Sequence, residues 1–144
     1  MSDVASISVC TGNLARTILA VEDEEAIRSF LAEFFQDYGY NVLEAADVAQ
    51  AKRVLARTWV DLVFSDINMP GPETGFDLEK WVRRHYPETK VLLTSGYPQN
   101  TADTASLLEP LLPKPYTCSK VLERIHRLIP GTIVSGPGQI MPRR

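Results

Sequence analysis

The clearest structural signal in the chain is the sequence Val60-Asp61-Leu62-Val63-Phe64-Ser65-Asp66-Ile67-Asn68-Met69-Pro70-Gly71. Its first five residues are mostly apolar, which predicts a buried strand over residues 60–64. Asp66 follows that strand almost at once, and the pair Pro70-Gly71 indicates a turn. A carboxylate therefore stands at the end of a buried strand, where it can face a ligand.

The same alternation of apolar run and polar break recurs along the chain. We predict four more strands at residues 17–21, 41–45, 91–93 and 110–112, and helices at residues 26–38, 47–58, 76–86, 99–108 and 117–128. Five strand–helix units with short connections predict an α/β fold: a five-stranded parallel sheet, doubly wound as (βα)5 and flavodoxin-like. The pattern alone does not fix the strand order, but the common order 2-1-3-4-5 would place the first and third strands side by side.

Length and composition favour one domain. The chain has 144 residues, enough for its own core, and we expect that core in residues 17–129. Residues 1–16 are predicted to be a flexible N-terminal arm. Residues 130–144 contain six Gly or Pro residues and are predicted to be a flexible C-terminal tail.

The same composition argues against several classes of protein. The net charge is −3, so no nucleic-acid partner is expected. The two cysteines do not make a disulfide framework. No apolar run approaches the ~20 residues of a membrane span, and the first residues do not resemble a signal peptide. We therefore expect a cytoplasmic protein without membrane contact.

Polar side chains follow four of the five predicted strands. Glu22 and Asp23 follow the first strand, Asp66 the third, Thr94 the fourth and Lys114 the fifth. Because the carboxyl ends of parallel strands meet at one edge of a sheet, these side chains should lie close together. Three carboxylates repel one another, and a hard divalent cation such as Mg²⁺ is the usual remedy. A carboxylate beside a cation, with Lys and Thr for further anionic oxygens, predicts a site that accepts a phosphoryl group.

At these residues the chain resembles a receiver domain of a two-component response regulator, over roughly residues 17–129. The elements recur in order: Asp66 comes 43 residues after Asp23, Thr94 comes 28 residues after Asp66, and Lys114 comes 20 residues after Thr94. The resemblance implies that Asp66 is the phosphoacceptor. It further implies that Thr94 and Lys114, the latter before a cis proline, contact the phosphoryl group.

The resemblance also implies a metal site and partners. Glu22, Asp23, Asp66 and the backbone carbonyl of Asn68 would hold Mg²⁺. The donor would be a histidine kinase or a histidine phosphotransfer protein, and the output would be contact with a downstream protein. The chain would not be an enzyme beyond its own phosphorylation and autodephosphorylation.

The sequences around Thr94 and Lys114 look most like receivers attached to hybrid histidine kinases. Only ~15 residues follow the last predicted helix, fewer than the ~50 of a small domain, so we expect a stand-alone receiver.

Two residues depart from the family pattern. Glu22 stands where Asp is commoner, so we expect Glu22 to act through a metal-bound water and Asp23 to bind directly. Leu111 stands where Tyr or Phe usually swings inward, so we expect conformational change to concentrate in residues 94–108, with Tyr97 and Tyr116 as contact residues.

Other functions stay open. In the same fold the chain could be a phosphorelay intermediate or a phosphate sink, or a phosphate-independent adaptor that only retains the site. A phosphatase of the haloacid dehalogenase type is disfavoured, because that family needs its nucleophilic Asp in an Asp-x-Asp pair after the first strand. Among the aromatic residues, we expect Phe30, Phe34 and Phe35 in the core, and Trp59 and Trp81 to pack.

Overall fold

A five-stranded parallel sheet forms the centre of the molecule. The computed structural model describes residues 15–96, 102–131, 134–136 and 139–140. The strands are β1 (Thr17–Val21), β2 (Asn41–Ala45), β3 (Leu62–Asp66), β4 (Lys90–Ser95) and β5 (Leu112–Pro113). Their spatial order is β2-β1-β3-β4-β5. This confirms the predicted fold class and the order 2-1-3-4-5.

Strand register brings the carboxyl ends of the central strands level. Val21 of β1 pairs with Ser65 of β3, and Asp66 of β3 pairs with Thr94 of β4. The neighbouring Ser95 pairs with Pro113 of β5. The loops that leave β1, β3, β4 and β5 therefore begin at the same edge of the sheet.

Five helices connect the strands: α1 (Glu25–Asp37), α2 (Val48–Arg57), α3 (Gly75–His85), α4 (Ala102–Ala105) and α5 (Cys118–Leu128). Thr117 caps α5 by accepting a hydrogen bond from the Lys120 N–H at 3.1 Å. Asp47 caps α2 in the same way, but the side chain of Gln50 accepts from Ala46 rather than from Asp47. The Asp47–Gln50 pair therefore forms only half of a capping box, because the return bond is made to the N–H of Ala46, one residue earlier than the N-cap.

Apolar residues cover both faces of the sheet. In β3, Leu62 and Phe64 belong to one cluster and Val63 to another, as alternation along a strand requires. The first cluster includes buried residues of α1 and α5, and the second includes buried residues of α2 and α3. The sheet is thus a middle layer between two helical layers.

Several element boundaries differ from prediction. β3 begins at Leu62 and β5 at Leu112, each two residues later than expected. Pro110 has no N–H to give to a strand ladder, which explains the late start of β5. Helix α4 (Ala102–Ala105) ends three residues before its predicted end, and its predicted start, residues 99–101, lies outside the described residues.

The predicted aromatic core is wrong in part. Phe35 is fully buried, but Phe30 is 58% exposed. Five residues along a helix correspond to about 140° of rotation, so both rings cannot point at the same core. Phe34 lies between the two cases: it is half-buried and stacks on Phe30 with ring centroids 6.2 Å apart. Trp59, expected to pack, is 55% exposed and donates its indole N–H to Asp61.

The chain ends differ in how far the structure describes them. Residues 1–14 of the predicted arm lie outside the described residues. In the predicted tail, β6 (Val134–Gly136) and β7 (Gln139–Ile140) pair antiparallel, a feature that the Gly- and Pro-rich sequence did not predict. Within the described parts of the chain, no helix is long and apolar enough to cross a membrane.

Candidate functional site

Backbone hydrogen bonds hold three of the candidate residues at one sheet edge. Asp66 is the last residue of β3, and the N–H of the next residue, Ile67, donates to the Thr94 carbonyl at 2.9 Å. Lys114 follows β5 directly, and its N–H donates to the Ser95 carbonyl at 2.8 Å. The Lys114–Pro115 peptide bond is cis, as the family resemblance implies.

The carboxylate of Asp66 contacts a cation and a backbone N–H. Lys114 Nζ lies 2.7 Å from Asp66 Oδ2, and the Asn68 N–H donates to Asp66 Oδ1 at 3.2 Å. Burial alone would lower the pKa of the Lys114 ammonium, but the hydrogen bond to Asp66 and the charges of Asp66 and Glu22 raise it. Lys114 is therefore held protonated beside the carboxylate.

The acidic pair after β1 divides into a buried and an exposed residue. Glu22 is only 7% exposed, and its Oε2 accepts a hydrogen bond from the Glu24 N–H at 3.0 Å. Asp23 is exposed. Burial raises the pKa of the Glu22 carboxyl, the bond from Glu24 opposes that rise, and the neighbouring Asp23 carboxyl adds to it. Of the two acidic residues, Asp23 is thus the one that a ligand from solvent can reach.

The charge of Lys114 acts on acidic residues of two other loops at the carboxyl edge of the sheet. Lys114 lies within electrostatic range of both Asp66 and Glu22, so it links the loops after β1, β3 and β5. Among residues 15–96 and 102–131, no three His, Cys, Asp or Glu side chains are arranged to hold a metal ion by themselves. The Asp66 carboxylate instead contacts the Lys114 ammonium, and the Glu22 carboxylate accepts a hydrogen bond from the Glu24 N–H in its own loop.

The donor set nevertheless fits magnesium. Every candidate ligand is an oxygen: the carboxylates of Asp23 and Asp66, the carbonyl of Asn68 and, behind them, the carboxylate of Glu22. Mg²⁺ prefers such hard ligands, keeps several waters, and is usually bound through one or two carboxylates rather than by a complete protein cage.

One residue at the site was missed by the sequence analysis. Gly75, the first residue of α3, lies against the backbone at the end of β3, and its N–H donates to the Ile67 carbonyl at 2.8 Å. An added Cβ at Gly75 would lie 2.5 Å from the Asp66 carbonyl oxygen and 2.8 Å from Ile67 Cα. A glycine at the start of a predicted helix was the available signal, since it is a poor helix former there.

Three residues entered the prediction of signal output, namely Leu111 in place of the usual aromatic residue and the contact residues Tyr97 and Tyr116. Leu111 is half-buried and packs against the cluster of Ile67, Phe76 and Leu93. Tyr116 packs edge-on against Phe64 at 6.0 Å between ring centroids, and burial raises its pKa. Only part of the Tyr116 ring is therefore free for a partner, and Tyr97 lies outside the described residues.

Comparison with known families identifies the class of this chain. The family model of the response regulator receiver domain matches residues 18–126. The response regulator protein FleR of Pseudomonas aeruginosa is 30% identical over 136 residues, which cover 90% of this chain and 28% of FleR. The sensor kinase CckA of Brucella abortus is 30% identical over 118 residues, which cover 78% of this chain and 12% of CckA. This chain thus spans less than a third of either relative.

Solved structures agree on the fold. The chemotaxis protein CheY4 of Vibrio cholerae superposes with a TM-score of 0.73 at 29% identity, covering 81% of this chain and all of CheY4. The response regulator TrrA of Thermotoga maritima, solved in complex with Mg²⁺ and BeF, gives a TM-score of 0.71 at 27% identity, covering 79% of this chain and 99% of TrrA.

The chain belongs to the response regulator receiver domain family of two-component systems. Receiver domains are phosphoacceptor signalling domains rather than classical enzymes. They bind Mg²⁺ at the site of phosphorylation and interact with histidine kinases or phosphotransfer proteins.

Proposed function

We propose that this chain accepts a phosphoryl group on Asp66 from the phosphohistidine of a kinase or phosphotransfer protein, and that the phosphorylated form signals by contact with another protein. The observation that carries the proposal is the 2.7 Å contact between Lys114 Nζ and Asp66 Oδ2 at the carboxyl edge of the sheet. A nucleophilic carboxylate with a fixed cation beside it suits a reaction in which negative charge moves onto equatorial phosphoryl oxygens.

The chemistry follows from the roles of three side chains. An oxygen of Asp66 attacks phosphorus in line, the phosphorus–nitrogen bond of the donor breaks, and its electron pair stays on the imidazole nitrogen, which takes up a proton. Lys114 moves its ammonium from the carboxylate to a phosphoryl oxygen and neutralises it. The Thr94 hydroxyl donates to another phosphoryl oxygen once the acyl phosphate exists.

Mg²⁺ fits the acidic end of this site. A bound ion would neutralise charge between the Asp66 carboxylate and the phosphoryl group. Asp23 and Asp66 would bind it with the Asn68 carbonyl, and the buried Glu22 would act through water. The support for this division is the exposure of Asp23 and the hydrogen bond that ties Glu22 to its own loop.

Labelling with acetyl phosphate tests the acceptor. With Mg²⁺, intact-mass analysis should show one added phosphoryl group in the native chain and none in Asp66→Asn. Asp37→Asn is the matched control, because Asp37 is an exposed acid at the end of α1. Labelling that survives in Asp66→Asn would refute the assignment, and a native chain that is not labelled would favour the phosphate-independent adaptor.

The metal roles have a separate test. Asp23→Ala should reduce labelling more than Glu22→Ala, because the first removes a direct ligand and the second a water-mediated one. If Asp23→Ala were labelled as fully as the native chain, the proposed ligand roles of Asp23 and Glu22 would be contradicted. Phosphotransfer from a panel of purified phosphorylated kinases would then separate an output domain from a relay intermediate, which passes the group on to a histidine.

A further inference from the structure

The loop between β1 and α1 is held by a residue that the site chemistry does not use. Arg28 lies in the first turns of α1, and its Nη1 donates to the backbone carbonyl of Glu22 at 2.8 Å. Long side chains of a helix point back toward its N-terminus, which brings Arg28 over the loop that precedes α1. The same guanidinium donates from Nε to Glu44 Oε1 of β2 at 3.2 Å.

Together with two further hydrogen bonds, the bond from Arg28 holds Glu22 in place. The Glu22 N–H donates to the Ala45 carbonyl of β2 at 3.0 Å, the Glu22 side chain accepts from the Glu24 N–H, and the Glu22 carbonyl accepts from Arg28. The peptide group between Glu22 and Asp23 is planar, so fixing the direction of the Glu22 carbonyl also fixes where Asp23 starts. The exposed Asp23 side chain adjoins the Glu22 carboxyl, and its direction from the backbone is set by that plane.

We propose that Arg28 is a positioning residue of the divalent-cation site, and that it raises the affinity for Mg²⁺ by holding the Glu22–Asp23 peptide plane although it is itself a cation. The proposal rests on the proposed function, since it takes Asp23 as a direct ligand. The salt bridge to Glu44 orients the guanidinium. That pair is partly exposed, with side-chain exposures of 18% and 44%, so the pair itself contributes little to stability.

The sign of the effect separates this role from two simpler ones. A cation that acted only through its charge would repel Mg²⁺, so its removal would tighten binding. A residue that only tied α1 to β2 would lower the melting temperature and leave the affinity for Mg²⁺ unchanged. A positioning residue loses affinity when removed, and partners behind metal ligands are typically worth about 10- to 100-fold in metal affinity.

The experiment is a Mg²⁺ titration of the purified full chain, followed by the NMR shifts of the Asp23 and Asn68 amides. Arg28→Met keeps the apolar stem and removes the donors, and the dissociation constant should rise about tenfold. Arg28→Lys keeps the charge without the planar fork that joins the Glu22 carbonyl to Glu44, so it should also weaken binding. Lys80→Met is the control: it removes a cation of α3 whose pair with Asp103 is exposed, and it should stay within about twofold of the native chain.

A second readout uses labelling by acetyl phosphate at increasing Mg²⁺. In Arg28→Met the Mg²⁺ concentration for half-maximal labelling should rise, while labelling at saturating Mg²⁺ stays near the native level. Native affinity, or tighter binding, in both Arg28 variants would overturn the proposal, and so would an equal loss in Lys80→Met. If Arg28→Met does not fold, Arg28→Lys decides alone. Failure of the proposed function would look different: the native chain would not bind Mg²⁺, or Asp23→Ala would bind it equally well.

Discussion

Gly75 is a residue at which a single added atom would press on the backbone at the end of β3. A methyl group there would meet two backbone atoms of one segment, the Asp66 oxygen and Ile67 Cα, and neither can rotate away as a flexible side chain could. The Gly75→Ala variant should therefore be less stable by about 1–3 kcal/mol, the usual cost of overpacking. Its labelling at limiting Mg²⁺ should also fall, because the Asp66 backbone must shift.

Urea unfolding measures the stability, and Gly96→Ala is the matched control. An added Cβ at Gly96 meets nothing within 4 Å, so this variant should unfold within about 0.5 kcal/mol of the native chain. Equal stability of Gly75→Ala and Gly96→Ala would mean that the strand backbone at Asp66 yields freely to the added methyl group.

Two phenylalanines of α1 offer a paired test of the core. Phe35 is fully buried and contacts the rings of Phe64 and Tyr40 edge-on, at 5.6 and 6.4 Å between centroids. Phe35→Ala should cost about 3–5 kcal/mol, as large-to-small changes in a core do. Phe30→Ala should cost about 1 kcal/mol, because the exposed ring loses chiefly its stacking on Phe34. If urea unfolding showed a similar loss of stability in both variants, the placement of Phe35 in the core and of Phe30 at the surface would be contradicted.

Among the secondary-structure elements, α4 and the segment after it depend most on polar contacts. None of the four residues of α4 is buried. From α5, Arg124 donates to the Pro110 carbonyl and lies 2.8 Å from Glu109 Oε2. From α3, Arg83 Nη2 donates to the Ser106 carbonyl at 2.8 Å. Side chains of the two neighbouring helices thus tie down the segment after α4, in addition to the packing of Leu107 and Leu111 on the core.

Arg124→Met should loosen this segment. It removes donors from the Glu109 carboxylate and the Pro110 carbonyl, both partly buried, and leaving such groups without these bonds costs about 1–3 kcal/mol. Hydrogen exchange should quicken in residues 102–112 more than in α1 or α2. Lys80→Met is the control, because its pair with Asp103 is exposed on both sides and is worth about 0–1 kcal/mol. If both variants changed hydrogen exchange in residues 102–112 equally, Arg124 would stabilise this segment no more than an exposed ion pair does.

The same segment is where the phosphorylated form is expected to differ. Thr94 belongs to β4 and Leu111 precedes β5, so the chain between them connects the site to α4. Leu111 has no polar tip to exchange between core and water, and it packs on Leu93 and Ile67. Beryllofluoride, a mimic of the phosphoryl group, should therefore change exchange in residues 94–96 and 102–108, shifting a population between existing conformations. Changes confined to α1 and α2 would place the output surface elsewhere.

For the molecule as a whole, sequence periodicity predicted the sheet and the edge at which Asp66, Thr94 and Lys114 gather, whereas the strand order was taken from the order common to such sheets. It could do so because the strands are short apolar runs that end in polar residues, and because parallel strands present those ends together. It could not predict the bond from Arg28 to Glu22 or the contact of Gly75 with Asp66. Both depend on how a helix settles against a loop or a strand end, which the pattern of a single segment does not contain. Phe30 was misplaced because apolar character alone does not state the angle around a helix.

The charge of the sheet edge also links metal binding to the stability of the whole fold. Asp23, Glu22 and Asp66 share one edge with a single lysine, so their repulsion should lower stability until a divalent cation binds. Binding to the folded chain alone adds RT ln(1 + [Mg²⁺]/Kd), or roughly 1.4 kcal/mol at ten times the Kd. For a domain of this size that is about 3–6 °C in melting temperature.

The Asp23→Ala variant should differ from the native chain in melting temperature in opposite directions without and with Mg²⁺. Without Mg²⁺ it should melt slightly above the native chain, because one of the repelling charges is gone. With Mg²⁺ its melting temperature should rise little further, because the proposed exposed ligand is gone, and that of the native chain should become the higher of the two. Asp37→Ala, which removes an exposed acid far along α1, should keep the native response to Mg²⁺. Thermal melts at several Mg²⁺ concentrations measure all three chains, and a native melting temperature that does not respond at millimolar Mg²⁺ would contradict the coupling between the site and the fold.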